Sequence, residues 1–366
     1  MDAVFIGFLG LGLSVTFHVL FTAMTLGVGL ISAWSRHMAY KTGDPWYEVF
    51  ARKTFKLLIV SELFSGVWGT IITVFLAGFF TALLTLATNT LFIPLAIAVA
   101  SIMIRIPAIA ASWYTWGKIS PRSHTMLMWI MALSGFGVPL GFRAIFAEIN
   151  YPHAITYYLQ TGNNPGFMPY TNPLFWTLYL HTVAAVISVG GFVIASLAIL
   201  DRDVRGAQLG VKLGFTLLIA QLAFGPLYWL SLSRYSPLLF NAVNTTYAPI
   251  LAVKLVTVAL LAVLGYKALK SLETSIPGNV KWLGPLALLA VALGEVLNDG
   301  SRYPNMVLMD NEGLPVSLFA NFYMDIPLPM VYMILAFLVL SIVVFTVAAY
   351  YAIYRRFIAE VPEELS

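Results

Sequence analysis

The 366-residue chain contains no cysteine. That excludes disulfides, thiolate nucleophiles, Cys-ligated zinc and Cys-ligated iron–sulfur clusters. Metal chemistry would have to use histidine, carboxylate or methionine. Charge is scarce as well: Asp, Glu, Lys and Arg make up 10% of the residues against 60% hydrophobic, whereas soluble domains carry roughly a quarter charged. A soluble globular protein is therefore excluded, and the composition predicts an all-α integral membrane protein, a bundle of transmembrane helices. The net charge of +4 is spread along the chain and does not indicate nucleic acid.

Long apolar runs are plentiful. Windows of about 20 apolar residues predict nine spans, near 3–34, 57–86, 91–117, 125–148, 173–200, 211–233, 247–269, 282–299 and 327–354. They form one polytopic domain over 1–366 with no soluble domain. The start lacks the basic region of a secretory signal, and its apolar stretch outruns a signal core, so it is expected to remain as a helix. Fifteen Lys and Arg fall after spans one, three, five and seven and in the tail, against three (Arg143, Arg234, Arg302) in the alternate loops. This bias predicts an outer N-terminus and a cytoplasmic C-terminus, in the plasma membrane of a prokaryote. Prolines 94, 107, 139, 226, 249 and 285 within spans suggest kinks.

Polar residues inside such spans are functional candidates. His18 lies in Phe17-His-Val-Leu-Phe-Thr-Ala-Met-Thr-Leu-Gly27, far from the nearest charges at Asp2 and Arg36. Imidazole is the commonest metal ligand and the usual axial ligand of haem iron; the plain alternative is a hydrogen bond to a neighbouring helix. His181, in Tyr179-Leu-His-Thr-Val-Ala184, sits about 12 Å into span five at 1.5 Å per residue. His37, His124 and His153 fall at span ends or in loops and are expected to be solvated. Span eight ends in Gly294-Glu-Val-Leu-Asn-Asp-Gly-Ser-Arg302. A continued helix would put Glu295, Asp299 and Arg302 on one face, as a structural ion network, a metal site, a proton relay or contacts to a haem propionate. Arg105 and Lys254 lie within spans and call for anionic partners, with Glu62, Glu295, Asp299 or a cofactor's carboxylates available.

Together these residues resemble subunit I of the cytochrome bd-type quinol oxidases. The resemblance covers nearly the whole chain and fits nine spans with an outer N-terminus. It implies that His18 is the axial ligand of an active-site haem and His181 a ligand of a low-spin haem b. Aligned on Arg302-Tyr-Pro304, Asp299 replaces the glutamate that ligates the high-spin haem b. The implied cofactors are haems of b or d type, serving electron transport in a respiratory chain.

The departures are as informative. Where the family's third span carries two glutamates, this chain has Ala98 and Ile106. Thr257 stands where the low-spin haem's methionine is expected, and Lys254 lies one residue from the family's arginine. The second-span Glu-x-Gln-Phe-Gly element has no counterpart in Gly66-Val-Trp-Gly69, and the long quinol-binding loop is reduced to about 230–245. The expectation is a divergent subunit-I paralogue inside a quinol oxidase complex. Its partner would be a more complete subunit I or a subunit II, with quinol reached through that partner. The alternatives are a haem-free structural partner, an ion or proton transporter using Glu62, Arg105, Glu295 and Asp299, and a haem-binding electron carrier outside the oxidases.

Overall fold

The structure is a computed structural model that describes residues 3–271, 278–320 and 327–353. Arg355 and Arg356, counted above for orientation, lie outside the described residues. The helices are α1 Ala3–Thr42, α2 Pro45–Phe79, α3 Thr81–Thr90, α4 Phe92–Thr115, α5 Pro121–Asn150, α6 His153–Thr161, α7 Phe175–Leu200, α8 Val204–Tyr235, α9 Pro237–Asn244, α10 Ala248–Ser271, α11 Leu283–Glu295, α12 Val316–Phe319 and α13 Leu328–Ile353. A π-helical turn, Val296–Gly300, extends α11. Short strands β1 Asn305–Val307 and β2 Leu314–Pro315 pair antiparallel. Among the described residues, nine helical segments are long and apolar enough to cross a membrane. Tight turns join α1 to α2, α4 to α5 and α7 to α8 at one end, rich in Lys and Arg and called here the basic end. The longer connections gather at the opposite, far end.

Local chemistry explains where these helices begin. At the basic end, Asp44 caps α2 by accepting from the Trp46 amide at 2.9 Å, with Pro45 in the first turn. Ser120 caps α5 through the Ser123 amide, again followed by proline, and Asp203 caps α8 through the Gly206 amide. Side-chain oxygens there satisfy amides that have no partner within the helix. The expected second span stops at Phe79; the chain breaks at Phe80 and resumes as α3. Helices run on through Pro107, Pro139 and Pro226. Pro94, Pro249 and Pro285 instead sit in the first turns of α4, α10 and α11, where a missing N–H costs little.

Close backbone approach holds the centre together. Gly27 of α1 lies against Gly190 of α7, and a Cβ on either would collide with the other's main chain. A Cβ on Gly191 of α7 would likewise strike the main chain of Gly214 in α8, and one on Gly214 would strike the ring of Phe192. Small residues at such crossings give the dispersion contact that drives helix association in lipid. Phe55, Leu58, Met131, Phe192 and Leu261 fill the adjoining core. The far end is covered by the segment around the two strands, where Tyr303 packs edge-on to Phe5 with ring centroids 5.1 Å apart.

Candidate functional site

His18 projects from α1 toward α2. Its Nδ1 lies 2.9 Å from the carbonyl oxygen of Ser65. A carbonyl only accepts, so Nδ1 carries the proton and Nε2 is left with its lone pair. That tautomer is the one a metal-ligating histidine adopts when its other nitrogen is held by a backbone carbonyl. Nε2 has only a long contact, 3.4 Å, to the Thr22 hydroxyl, which also bonds the Ser65 hydroxyl at 2.8 Å. Gly69 leaves open the space beside the ring. The charged groups that act on this imidazole are Glu295 and Glu62.

Arg105 uses its donors within the protein. Nε and Nη2 reach Glu62, at 3.2 and 3.0 Å; Nη1 donates to the Met131 carbonyl at 2.9 Å and Nη2 to the Thr25 carbonyl at 3.2 Å. The Thr25 hydroxyl donates to Glu62 at 2.5 Å. A cation in apolar surroundings needs this degree of satisfaction. The arrangement joins α1, α2, α4 and α5 and is the helix-pairing alternative for Arg105, one turn below the Ser65–Thr22 pair.

On the far-end side, the π-turn takes Glu295 and Asp299 to different arginines. Arg143 of α5 pairs with Glu295 at 3.4 Å, and Arg302 with Asp299 at 3.4 Å. Arg302 also donates to Asn298 at 3.1 Å and to Asn150 at 3.0 Å; Asn150 in turn bonds the Tyr228 hydroxyl at 3.2 Å. Oε2 of Glu295 and Oδ2 of Asp299 are buried with no hydrogen-bond partner. Such turns replace one helical register with another and are common at functional sites.

His181 borders this network. Its ring lies parallel to Tyr228 at 6.3 Å between centroids, and Gln221 donates to its backbone carbonyl. Nδ1 of His181 is buried without a partner. Lys254 and Arg143 are the charged groups acting on it. Lys254 forms no hydrogen bond or ion pair among the described residues. Thr257 donates to the carbonyl of Val253 in its own helix at 2.8 Å.

The remaining histidines correct one expectation. His124 is not solvated: it is fully buried, accepting at Nδ1 from Arg36 at 3.0 Å while Nε2 donates to the Ser112 carbonyl at 3.0 Å. Arg36 pairs with Glu48, which also accepts from the Trp116 indole at 2.7 Å. This polar knot fastens α1, α2, α4 and α5 at the basic end. His37 is half-buried, edge-on to Trp129. Sequence reasoning passed over Arg143, Tyr228 and Asn150. Arg143 had been counted with the loop cations, although its place seven residues inside α5 was the available signal.

Among the described residues, nine membrane-length helices enclose His18, His181 and a largely buried ion network, which makes the chain a helical membrane bundle with polar groups in its interior. The cytochrome bd terminal oxidase subunit I family matches residues 9–359, and the chain belongs to that family. A chain of a solved structure described as "The structure of bd oxidase from Geobacillus thermodenitrificans" superposes with a TM-score of 0.83 at 16% identity, covering 97% of this chain and 98% of that one. At that identity the likeness establishes the fold. A comparison of the sequence with curated proteins finds no match. The protein is thus a multi-pass membrane protein of a respiratory oxidase family.

Proposed function

We propose that the chain is a subunit-I-like component of a bd-type quinol:oxygen oxidoreductase complex that holds haem on His18 and on His181. The observation carrying this is the fixed tautomer of His18, with Nδ1–H engaged by the Ser65 carbonyl and the Nε2 lone pair met only by a long 3.4 Å contact from the Thr22 hydroxyl. Haem supplies one-electron transfer and, where a coordination position is open, oxygen binding. The unpartnered Nδ1 of His181 and the space beside Gly225 support a second site. Arg143, half-buried and 3.4 Å from Glu295, supplies a cation that would suit the carboxylates of that group.

The chain's own residues have narrower tasks. Ser65 and Gly69 orient and admit the His18 ring, while Glu62, neutralised by Arg105, and Glu295 set its electrostatic surroundings. Ala98 and Ile106 offer no acid for a proton path like the family's, and the short 236–247 connection offers little to bind quinol. These features support an accessory role beside another oxidase subunit, while the surplus of Lys and Arg at the basic end supports that end as the cytoplasmic one.

The test is an absorption spectrum and a pyridine haemochrome of the purified protein, with and without its co-purifying partner. A Soret band is expected, and His18→Ala should remove a high-spin signal. Absence of a Soret band from both samples overturns the haem reading. Native mass spectrometry should find a second subunit; a monomer fully active with quinol would contradict the accessory role.

A further inference from the structure

Helices α8 and α11 each pack against both α7 and α10, so the four form a ring with α7 and α10 on opposite sides. Toward the basic end its middle is filled: Phe192 and Leu261 are buried, and a Cβ on Gly265 would stand 2.9 Å from Phe215. Nearer the far end the filling changes from rings and branches to nitrogen and glycine. His181 and Lys254 each sit six residues into their helices, about 9 Å at 1.5 Å per residue. The other two walls carry glycine beside them. A Cβ on Gly225 would lie 3.5 Å from Cε1 of His181, and one on Gly294 2.8 Å from Nζ of Lys254.

Both nitrogens lack an occupation. His181 Nδ1 is buried and unpartnered, and the Lys254 amine forms no hydrogen bond or ion pair among the described residues. Glu295, adjacent to Gly294, acts on Lys254 only at longer range. Lys254 is the foremost charged group acting on His181. Thr257 offers no alternative ligand, since its hydroxyl is engaged with Val253.

We propose that Lys254 is the second axial ligand of the haem held by His181, an amine one turn before Thr257, the residue that stands where the family has a thioether. This rests on the reading of His181 as a haem ligand. Coordination uses the lone pair of the neutral amine, so the ammonium releases one proton to solvent as the bond forms. Lysine suits the task because its compact head deprotonates readily when desolvated, which the guanidinium of arginine does not.

The experiment compares wild type with Lys254→Arg and Lys254→Met in the intact complex. It reads haem content by pyridine haemochrome and ligation by near-infrared magnetic circular dichroism and electron paramagnetic resonance of the ferric form. Wild type should give the band of an imidazole–amine pair. Lys254→Arg keeps the cation but not the ligand, so the haem should be retained and converted to high spin. Lys254→Met should stay low-spin with a thioether-type band and a raised midpoint potential. If Lys254→Arg retains haem and leaves an unchanged low-spin band, Lys254 is a counter-ion to a propionate and the proposal falls. An imidazole–imidazole or imidazole–thioether band in wild type overturns it as well, even if a variant fails to fold. Wild type without any haem overturns instead the reading on which the proposal rests.

Discussion

Gly69 of α2 faces the imidazole of His18: a Cβ there would lie 3.2 Å from Cε1 and 3.4 Å from Nδ1. A side chain larger than a methyl cannot be accepted without turning the ring from the Ser65 carbonyl. Gly69→Leu should therefore abolish the high-spin haem signal while leaving the low-spin one, as read from the reduced-minus-oxidised spectrum. Ser65→Ala removes only the bond to Thr22 and keeps the carbonyl, so its spectrum should match wild type. Equal loss in both variants would place the ligand elsewhere.

Arg105 is buried against a partly buried Glu62, and its guanidinium donors are engaged. Glu62→Ala leaves a guanidinium without its anion in the bundle and should cost about 3–5 kcal/mol, read as a lowered unfolding temperature in detergent. The double replacement Glu62→Leu with Arg105→Met should recover much of that loss. A stable single variant would mean that water or lipid reaches Arg105.

Glu295 acts on both His18 and Lys254. Removing its negative charge with Glu295→Gln disfavours ferric haem on His18 and should raise that haem's midpoint potential. A change on the order of 1 kcal/mol, what a unit charge exerts over roughly 15 Å at an effective dielectric of about 20, corresponds to about 40 mV for one electron. Potentiometric titration checks the sign; an unchanged or lowered potential would remove Glu295 from the surroundings of His18.

At the basic end, the hydrogen bond from Arg205 holds the Asp44 carboxyl below the usual carboxylate range. The ion pair measures 2.7 Å, and Arg205 also lies 4.3 Å over the Trp46 ring. A depressed carboxyl contributes stability that is present above its unfolded pKa, near 3.9, and is lost as pH falls through its lower folded value. The difference in unfolding temperature between wild type and Asp44→Asn should thus be constant above about pH 5 and shrink below pH 4. A difference growing toward acid would contradict this sign.

The helical bundle was legible because composition and apolar run length carry it, and each span repeats the signal. His18 and His181 stood out for the same reason, as polar residues within apolar runs. Their setting was harder to read. The π-turn at Val296–Gly300 has no sequence mark beyond Asn298, Asp299 and Gly300, so the face shared by Glu295, Asp299 and Arg302 could be stated only for a continued helix. Arg143 was masked by its closeness to a span end, which made it look like a loop charge. His124 was misplaced because burial at a helix start depends on neighbours distant in sequence, here Arg36 and Ser112.

The contact between Gly27 and Gly190 has a metrical consequence. α1 and α7 run in the same direction, and His18 and His181 each precede their glycine by nine residues, about 13.5 Å of helix. The two imidazoles are thus suspended at one height from a single main-chain junction with no side chain between. Were each to hold an electron carrier, the vertical offset between the carriers would be fixed by backbone touching backbone. A tunnelling distance gauged that way would tolerate changes in lipid, partner or surrounding side chains, and enlarging either glycine would alter it.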